Sequence, residues 1–283
     1  MLDLTSPLAV GIVNVTDDSF FEGARSGTPT QAIADGHALV REGFDLLDVG
    51  AVAAASGRPV PADEEAERLV PVIEALAADA GAPVSADTFQ APVAERALDA
   101  GAAAINDISG AADPELLDVV AERGCGYVLM HIEGPPREDR GPPRYADPVA
   151  HLLRWFEERM RALTDRGVEE DQIALDPGLD FDLSVADDLE ILRRLDELHA
   201  LGRPLFLALS RKDFLGAVLA GSWEDRLPAR DREWATAAAT ALAVEAGAEL
   251  VRLHDRSALD SLRTAAAIRA ARVADRRPVG ADG

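Results

Sequence analysis

Asp87, Asn106, Asp176, Lys212, Arg252 and His254 sit at or just past the ends of short apolar runs spread through this chain, and as a set they suit one chemistry. Asp176 and Asn106 offer acceptors and a donor for the cyclic amidine edge of a flat heterocycle, a pairing that a buried carboxylate strengthens. Lys212 donates from a point position to a ring carbonyl or nitrogen. Asp87 places negative charge where a cation develops, which is electrostatic transition-state stabilisation. Arg252 and His254, two apart in Val251-Arg252-Leu253-His254, share one side of a strand and form an anion subsite. Asn14 adds a hard oxygen suited to magnesium on a diphosphate. Of the 28 basic residues Lys212 alone is a lysine, so a compact ammonium stands where the rest of the chain uses planar guanidinium groups.

Each residue has a duller reading. An Asp that closes a strand often caps the next helix, and Asp107, Asp113 and Asp255 are read that way. His131 and His254 are equally readable as satisfied structural histidines, and Asn14 as an Asx turn. His37, His151 and His199 fall on helical segments and receive no role. Convergence favours the functional reading, because independent caps would not bring two acids, two amides and three cations to one mouth.

The elements that must position these groups alternate regularly. Strands are predicted at Val10 to Val15, Leu46 to Val49, Pro83 to Ala86, Ala103 to Asn106, Gly126 to Met130, Ile173 to Asp176, Leu205 to Leu209 and Leu250 to Leu253. Helices are predicted near Thr30 to Glu42, Glu64 to Ala78, Ala91 to Ala100, Pro114 to Arg123, Pro148 to Arg166, Val185 to Leu201, Trp234 to Ala246 and Ser257 to Ala271. Asp113-Pro114 and Asp147-Pro148 are helix entries, and Gly43, Gly101, Gly167 and Gly247 are exits. Eight strand-then-helix units predict an α/β chain folded as one (β/α)₈ TIM barrel, a single domain over residues 1–283. In such a barrel the polar groups at the strand ends gather at one mouth. The Pro/Gly-rich stretch Glu133 to Asp147 reads as a flexible flap over one end.

Composition narrows the partners. A formal charge of −23, from 51 acidic against 28 basic residues, repels nucleic acid and anionic membrane and favours small molecules. An acid excess with one lysine suits either a GC-rich genome or adaptation to high salt. Cys125 is the sole cysteine, so neither a disulfide framework nor a cysteine-based metal site is expected. No apolar segment approaches the roughly 20 residues of a spanning helix, and Met1-Leu2-Asp3-Leu4 has no basic n-region, so a cytoplasmic location is expected.

The motifs Gly11-Ile12-Val13-Asn14-Val15-Thr16-Asp17-Asp18-Ser19-Phe20, Asp87-Thr88-Phe89, Asn106-Asp107-Ile108-Ser109-Gly110, Leu129-Met130-His131, Asp176-Pro177-Gly178, Ser210-Arg211-Lys212 and Arg252-Leu253-His254 together resemble the dihydropteroate synthase family, in the family's order, from Val10 to Asp255. The resemblance implies a pterin-binding barrel that condenses 6-hydroxymethyl-7,8-dihydropterin diphosphate with p-aminobenzoate in a dissociative, magnesium-dependent reaction of folate biosynthesis. It implies that Asp87, Asn106, Met130, Asp176, Phe181 and Lys212 hold the pterin. Asp87, Lys212, Arg252 and His254 would be catalytic, with Asp87 stabilising the methylene cation. Ser210, Arg211, Arg252 and His254 would serve the diphosphate and p-aminobenzoate, and Asn14 would bind Mg²⁺. It further implies a homodimer through late helices. The Ala-rich faces of Ala235 to Ala246 and Ala265 to Ala271 would allow that packing, and equally packing against the barrel.

The chain departs from the family pattern in places. The Gly-Glu-Ser-Thr-Arg-Pro loop of the family aligns without gaps to Ala51-Val52-Ala53-Ala54-Ala55-Ser56, whereas a small insertion would bring Ser56-Gly57-Arg58-Pro59 onto its end. Asp17, Asp180 and Asp213 replace Pro, Gly and Ser near the site. Extra carboxylates should weaken binding of a diphosphate and an aminobenzoate unless cations intervene. Two other functions stay open: a pterin-binding paralogue without the synthase reaction, and a methyltransferase that uses a methylated folate. The second needs no diphosphate subsite, and Ser210-Arg211-Lys212 and Arg252-Leu253-His254 argue against it.

Overall fold

The computed structural model describes residues 2–15, 28–52, 59–136, 145–181, 183–254 and 256–275. The strands β1 (Leu8–Asn14), β2 (Leu46–Gly50), β3 (Val84–Asp87), β4 (Ala104–Asp107), β5 (Gly126–Met130), β6 (Ile173–Asp176), β7 (Phe206–Ala208) and β8 (Leu250–Leu253) pair in parallel in the order β6-β5-β4-β3-β2-β1-β8-β7. Leu175 and Leu205 form a parallel bridge between β6 and the start of the β7 segment, and Leu175 N–H donates to Pro204 C=O at 2.8 Å, which closes the ring. Around it lie α1 (Pro29–Glu42), α2 (Ala62–Asp79), α3 (Ala91–Asp99), α4 (Pro114–Arg123), α5 (Pro148–Thr164), α6 (Val185–Arg193), α7 (Asp213–Ala220), α8 (Glu233–Glu245) and α9 (Arg256–Asp275). The predicted (β/α)₈ barrel is the observed fold. None of the described helices is long and apolar enough to cross a membrane.

The period-two alternation of each strand builds two different surfaces. Outward residues such as Leu47, Ile105, Leu129, Leu175 and Val251 pack under the helices in the main core. Inward residues Val10, Leu46, Val128, Phe206 and Leu250 form a separate apolar cluster that lines the amino-terminal half of the barrel, around a cavity of about 590 Å³. Two residues further along the same strands, the inward positions turn polar, with Asp48 after Leu46 and Arg252 after Leu250. An apolar layer therefore lies beneath a charged one, and the charged layer faces the carboxyl ends.

Local chemistry sets the boundaries as expected. Asp113 and Asp147 accept from the N–H groups of Glu115 and Ala150 at the starts of α4 and α5, while Gly43, Gly101, Gly167 and Gly247 all take the left-handed conformation. Two segments differ from expectation. The helix predicted over Val185 to Leu201 breaks at Arg194 and continues as a 3₁₀ helix over Leu195–Leu201. Helix α7 has no sequence signal: Asp213-Phe214-Leu215-Gly216-Ala217-Val218-Leu219-Ala220 lacks an amphipathic period, and its amino terminus is capped from another loop, by Asp180.

Candidate active site

At the centre of the mouth one guanidinium joins two carboxylates. Arg252 Nε donates to Asp48 Oδ2 at 2.6 Å and its Nη2 donates to Asp87 Oδ2 at 2.8 Å. Asp48 is completely buried and also accepts from Asn106 Nδ2 at 3.0 Å and Ser85 Oγ at 2.5 Å. A carboxylate can only accept, so the Asn106 amide is fixed with its NH₂ toward Asp48 and its Oδ1 left as the acceptor. Burial works against the Arg252 charge, but Asp48 and Asp87 outweigh it and raise its pKa above the ordinary guanidinium value.

Across the barrel Asp176 ends β6, buried, with Oδ1 accepting from Gly178 N–H at 2.8 Å. Burial pushes its carboxyl up to about 6, against the opposing pull of that N–H, Lys212 and Arg252. Lys212 follows β7 with Nζ 4.3 Å from the centroid of the Phe181 ring, a cation–π contact. Burial lowers its pKa, and Asp180 and Asp176 partly restore it. Met130 packs with Ile108 and Ile132, with Phe89 and Phe181 against them. A flat ring lying on this apolar cluster would meet Asp176, Asn106 Oδ1 and Lys212 at its edges.

Ser210 and His254 meet directly, with His254 Nδ1 2.8 Å from Ser210 Oγ and the His254 N–H donating to the same oxygen at 3.2 Å. Arg211 is in the left-handed region, its N–H donating to Thr236 Oγ1 at 3.0 Å and its Nη1 to the Ala229 carbonyl at 3.4 Å. Asn14 ends β1 opposite Gly50 of β2, on the inward face.

Asp180 and Asp213 are expected to oppose anion binding unless cations intervene; cations lie beside Asp213, and Asp180 is engaged by backbone N–H groups. Asp213 pairs with Arg232 and lies 3.2 Å from Arg226 Nε, while both Asp180 oxygens accept the first N–H groups of α7, from Asp213 and Phe214. Asp107 does not cap a helix. Fully buried, it accepts from Ser109 N–H, Ala111 N–H and Tyr127 OH and so shapes the turn after β4. His131 also leaves the mouth: it follows inward-facing Met130 and turns outward, toward α5 and His151. Asp17, residues 53–58, Asp255 and the centre of the Glu133 to Asp147 stretch lie outside the described residues.

Sequence reasoning missed Asp48 and the Ser85 that supports it. The signal was present, since Leu46-Leu47-Asp48-Val49-Gly50 sets one charge on the inward face of an otherwise apolar strand.

A profile of pterin binding enzymes matches residues 10–254. A Mycobacterium leprae dihydropteroate synthase is 39% identical over 271 residues, which is 94% of this chain and 95% of that protein. The Synechocystis enzyme of the same name is 37% identical, covering 88% of this chain and 86% of its own. Among solved structures, Yersinia pestis dihydropteroate synthase with a sulfonamide drug superimposes with a TM-score of 0.89 at 32% identity, over 95% of this chain and 96% of that one. The Xanthomonas albilineans enzyme in complex with 7,8-dihydropteroate gives 0.82 at 37% identity, over 98% and 97%. A parallel barrel with these groups at its mouth, matched along nearly its whole length by such relatives, belongs to the pterin-binding enzymes, in the dihydropteroate synthase family.

Proposed function

We propose that this chain condenses 6-hydroxymethyl-7,8-dihydropterin diphosphate with p-aminobenzoate, giving 7,8-dihydropteroate and pyrophosphate. The observation that carries the reading is the inward polar layer in which Asp48, Asp87, Asn106 and Arg252 form one bonded unit across from Asp176 and Lys212. Asp176, Asn106 Oδ1 and Lys212 would hold the pterin edge, over Met130 and Phe181. The C–O bond to the diphosphate breaks with its electron pair leaving on pyrophosphate, and the methylene carbon then bonds to the aminobenzoate nitrogen, which gives up a proton. Asp87 would face the positive methylene, while Arg252 and the Ser210–His254 pair take the departing anion. Ser210 and Arg211 would border the aminobenzoate.

Magnesium, when bound, would neutralise charge on the diphosphate. Asn14 suits it, as an oxygen donor on the inward face beside the proposed anion subsite, because this ion is commonly held by one or two protein oxygens together with phosphate oxygens and waters. The chemistry uses small polar substrates and fits a cytoplasmic enzyme. Trp234 and Leu242 on α8 and Ile268 on α9 are exposed, and a homodimer through these helices would cover them. Light scattering on the purified chain decides that assignment.

The direct test is pyrophosphate release from the pterin diphosphate with magnesium, with and without p-aminobenzoate, and with Asp87→Ala as control. Release that depends on aminobenzoate, yields dihydropteroate and disappears in the control supports the synthase. Binding of the pterin without release makes the chain a pterin-binding paralogue instead. Lys212→Arg is expected to fold and to bind the pterin more weakly, since the larger planar group loses the point position above Phe181. Unchanged affinity by calorimetry would remove Lys212 from the site.

Asp176 makes pH informative. Its carboxyl stands at about 6 in the fold against an ordinary value of 3.8, so between these the native state binds the extra proton. The stability of the unliganded wild type, relative to Asp176→Asn, therefore falls as pH rises from about 4 to about 6 and is level above. Pterin affinity runs the other way. The ionised carboxylate accepts from the amidine edge, so affinity drops as pH falls below about 6, approaching tenfold per pH unit. Calorimetry at a series of pH values checks this, and a profile that stays flat between about pH 5 and 8 rejects Asp176 as the recognition group.

A further inference from the structure

Just beyond the end of β5, on the side that faces α5, three potential metal ligands converge. The His131 side chain is fully buried, and Nδ1 has no hydrogen-bond partner among the described residues, so its polar engagement runs through Nε2. Nε2 lies 3.2 Å from His151 Nε2 and 3.8 Å from Glu133 Oε1. The same Glu133 oxygen is 2.9 Å from His151 Nε2. The ligands come from three places: the residue after β5, the connection beyond it, and the first turns of α5.

Among the described residues hydrogen bonding serves this triangle poorly. The Nε2 of a neutral His151 carries at most one hydrogen, which must be shared between Glu133 and His131 or serve only one of them. A divalent ion at the centre satisfies all three lone pairs at once. Tetrahedral coordination at about 2.0–2.1 Å sets neighbouring ligand atoms roughly 3.3 Å apart, and the three observed edges bracket that value. The two imidazole rings cross at 81°, with centroids 5.3 Å apart, so their nitrogens can meet at one point without the rings overlapping.

We propose that His131, Glu133 and His151 form a metal site, separate from the reaction centre, for a borderline divalent ion of the zinc type. Glu133 is 42% exposed, so solvent completes the coordination from that side. Two imidazoles and one carboxylate select zinc, cobalt or nickel over magnesium. The ion fastens the start of the β5–α5 connection to α5, and it immobilises the residue next to Met130.

The test uses the full chain, stripped by chelator and titrated with Zn²⁺ by calorimetry and with Co²⁺ by visible spectroscopy, both in excess Mg²⁺. One equivalent should bind, Co²⁺ should show absorption of tetrahedral intensity, and Zn²⁺ should raise the thermal midpoint by mass action. His151→Asn, at a partly exposed position, should keep the metal-free midpoint and lose affinity by about tenfold or more. His37→Asn, which removes a histidine paired with Asp79 elsewhere, should change nothing. No saturable Zn²⁺ binding by the wild type, or equal binding by His151→Asn, overturns the proposal.

Discussion

Replacing Arg252 by methionine is expected to cost this protein about 3–5 kcal/mol of stability and to remove its turnover together with it. The cause is what the substitution leaves behind. Asp48 is wholly buried, and its Oδ2 faces the Arg252 Nε at 2.6 Å, so methionine of similar length fills the space but strands a carboxylate in the barrel. The bonds from Asn106 and Ser85 remain and are too few to replace a cation. Asp87 loses its Arg252 contact as well, though it lies nearer solvent. Adding Asp48→Asn to Arg252→Met removes the stranded charge, and more than half of the lost stability should return in urea unfolding. Activity should not return, because the group that meets the departing diphosphate is still missing, a loss on the order of 10²–10³-fold. A double variant no more stable than Arg252→Met alone would show that Asp48 is not the cause.

That coupling also shows where the sequence was readable. Strand order, the inward and outward alternation and the capping residues follow from local patterns that repeat every few residues, so β1 to β8 and most helix limits were legible. That the strand-end residues gather at one mouth was legible for a second reason, since barrel topology converts the end of a strand into a place there. Asp48 escaped because it lies in mid-strand, where one charge amid apolar neighbours has no local partner to announce it. Its partner Arg252 is 204 positions away. The α7 helix escaped for the same reason, its cap being Asp180 and its brace Arg232. What engages Asp180 and Asp213 was not legible, because a sequence displays the charge of a residue and conceals its partners. His151, assigned no role from its helix, gains one only when the fold sets it against His131.

Among the described glycines, Gly178→Ala is expected to be the most damaging added methyl. Gly178 adopts φ +71°, and a Cβ there would lie 2.0 Å from the carbonyl oxygen of His131, a backbone atom that cannot rotate away. Two costs add: the left-handed conformation of a residue with a side chain, roughly 1–2 kcal/mol, and a displacement of packed backbone, about 1–3 kcal/mol. Function should suffer beyond stability, because the Gly178 N–H holds Asp176 and the displaced carbonyl lies next to Met130, so both walls of the proposed pterin site shift. Gly202→Ala separates the two costs. Gly202 has a similar φ of +68° and nothing within 4 Å of its added methyl, so it should show the conformational cost alone. Unfolding midpoints for the two variants, with pterin affinities by calorimetry, should place Gly178→Ala well below Gly202→Ala in both. Equal losses would mean that the His131 carbonyl yields without cost and that the Asp176 loop is not held by this contact.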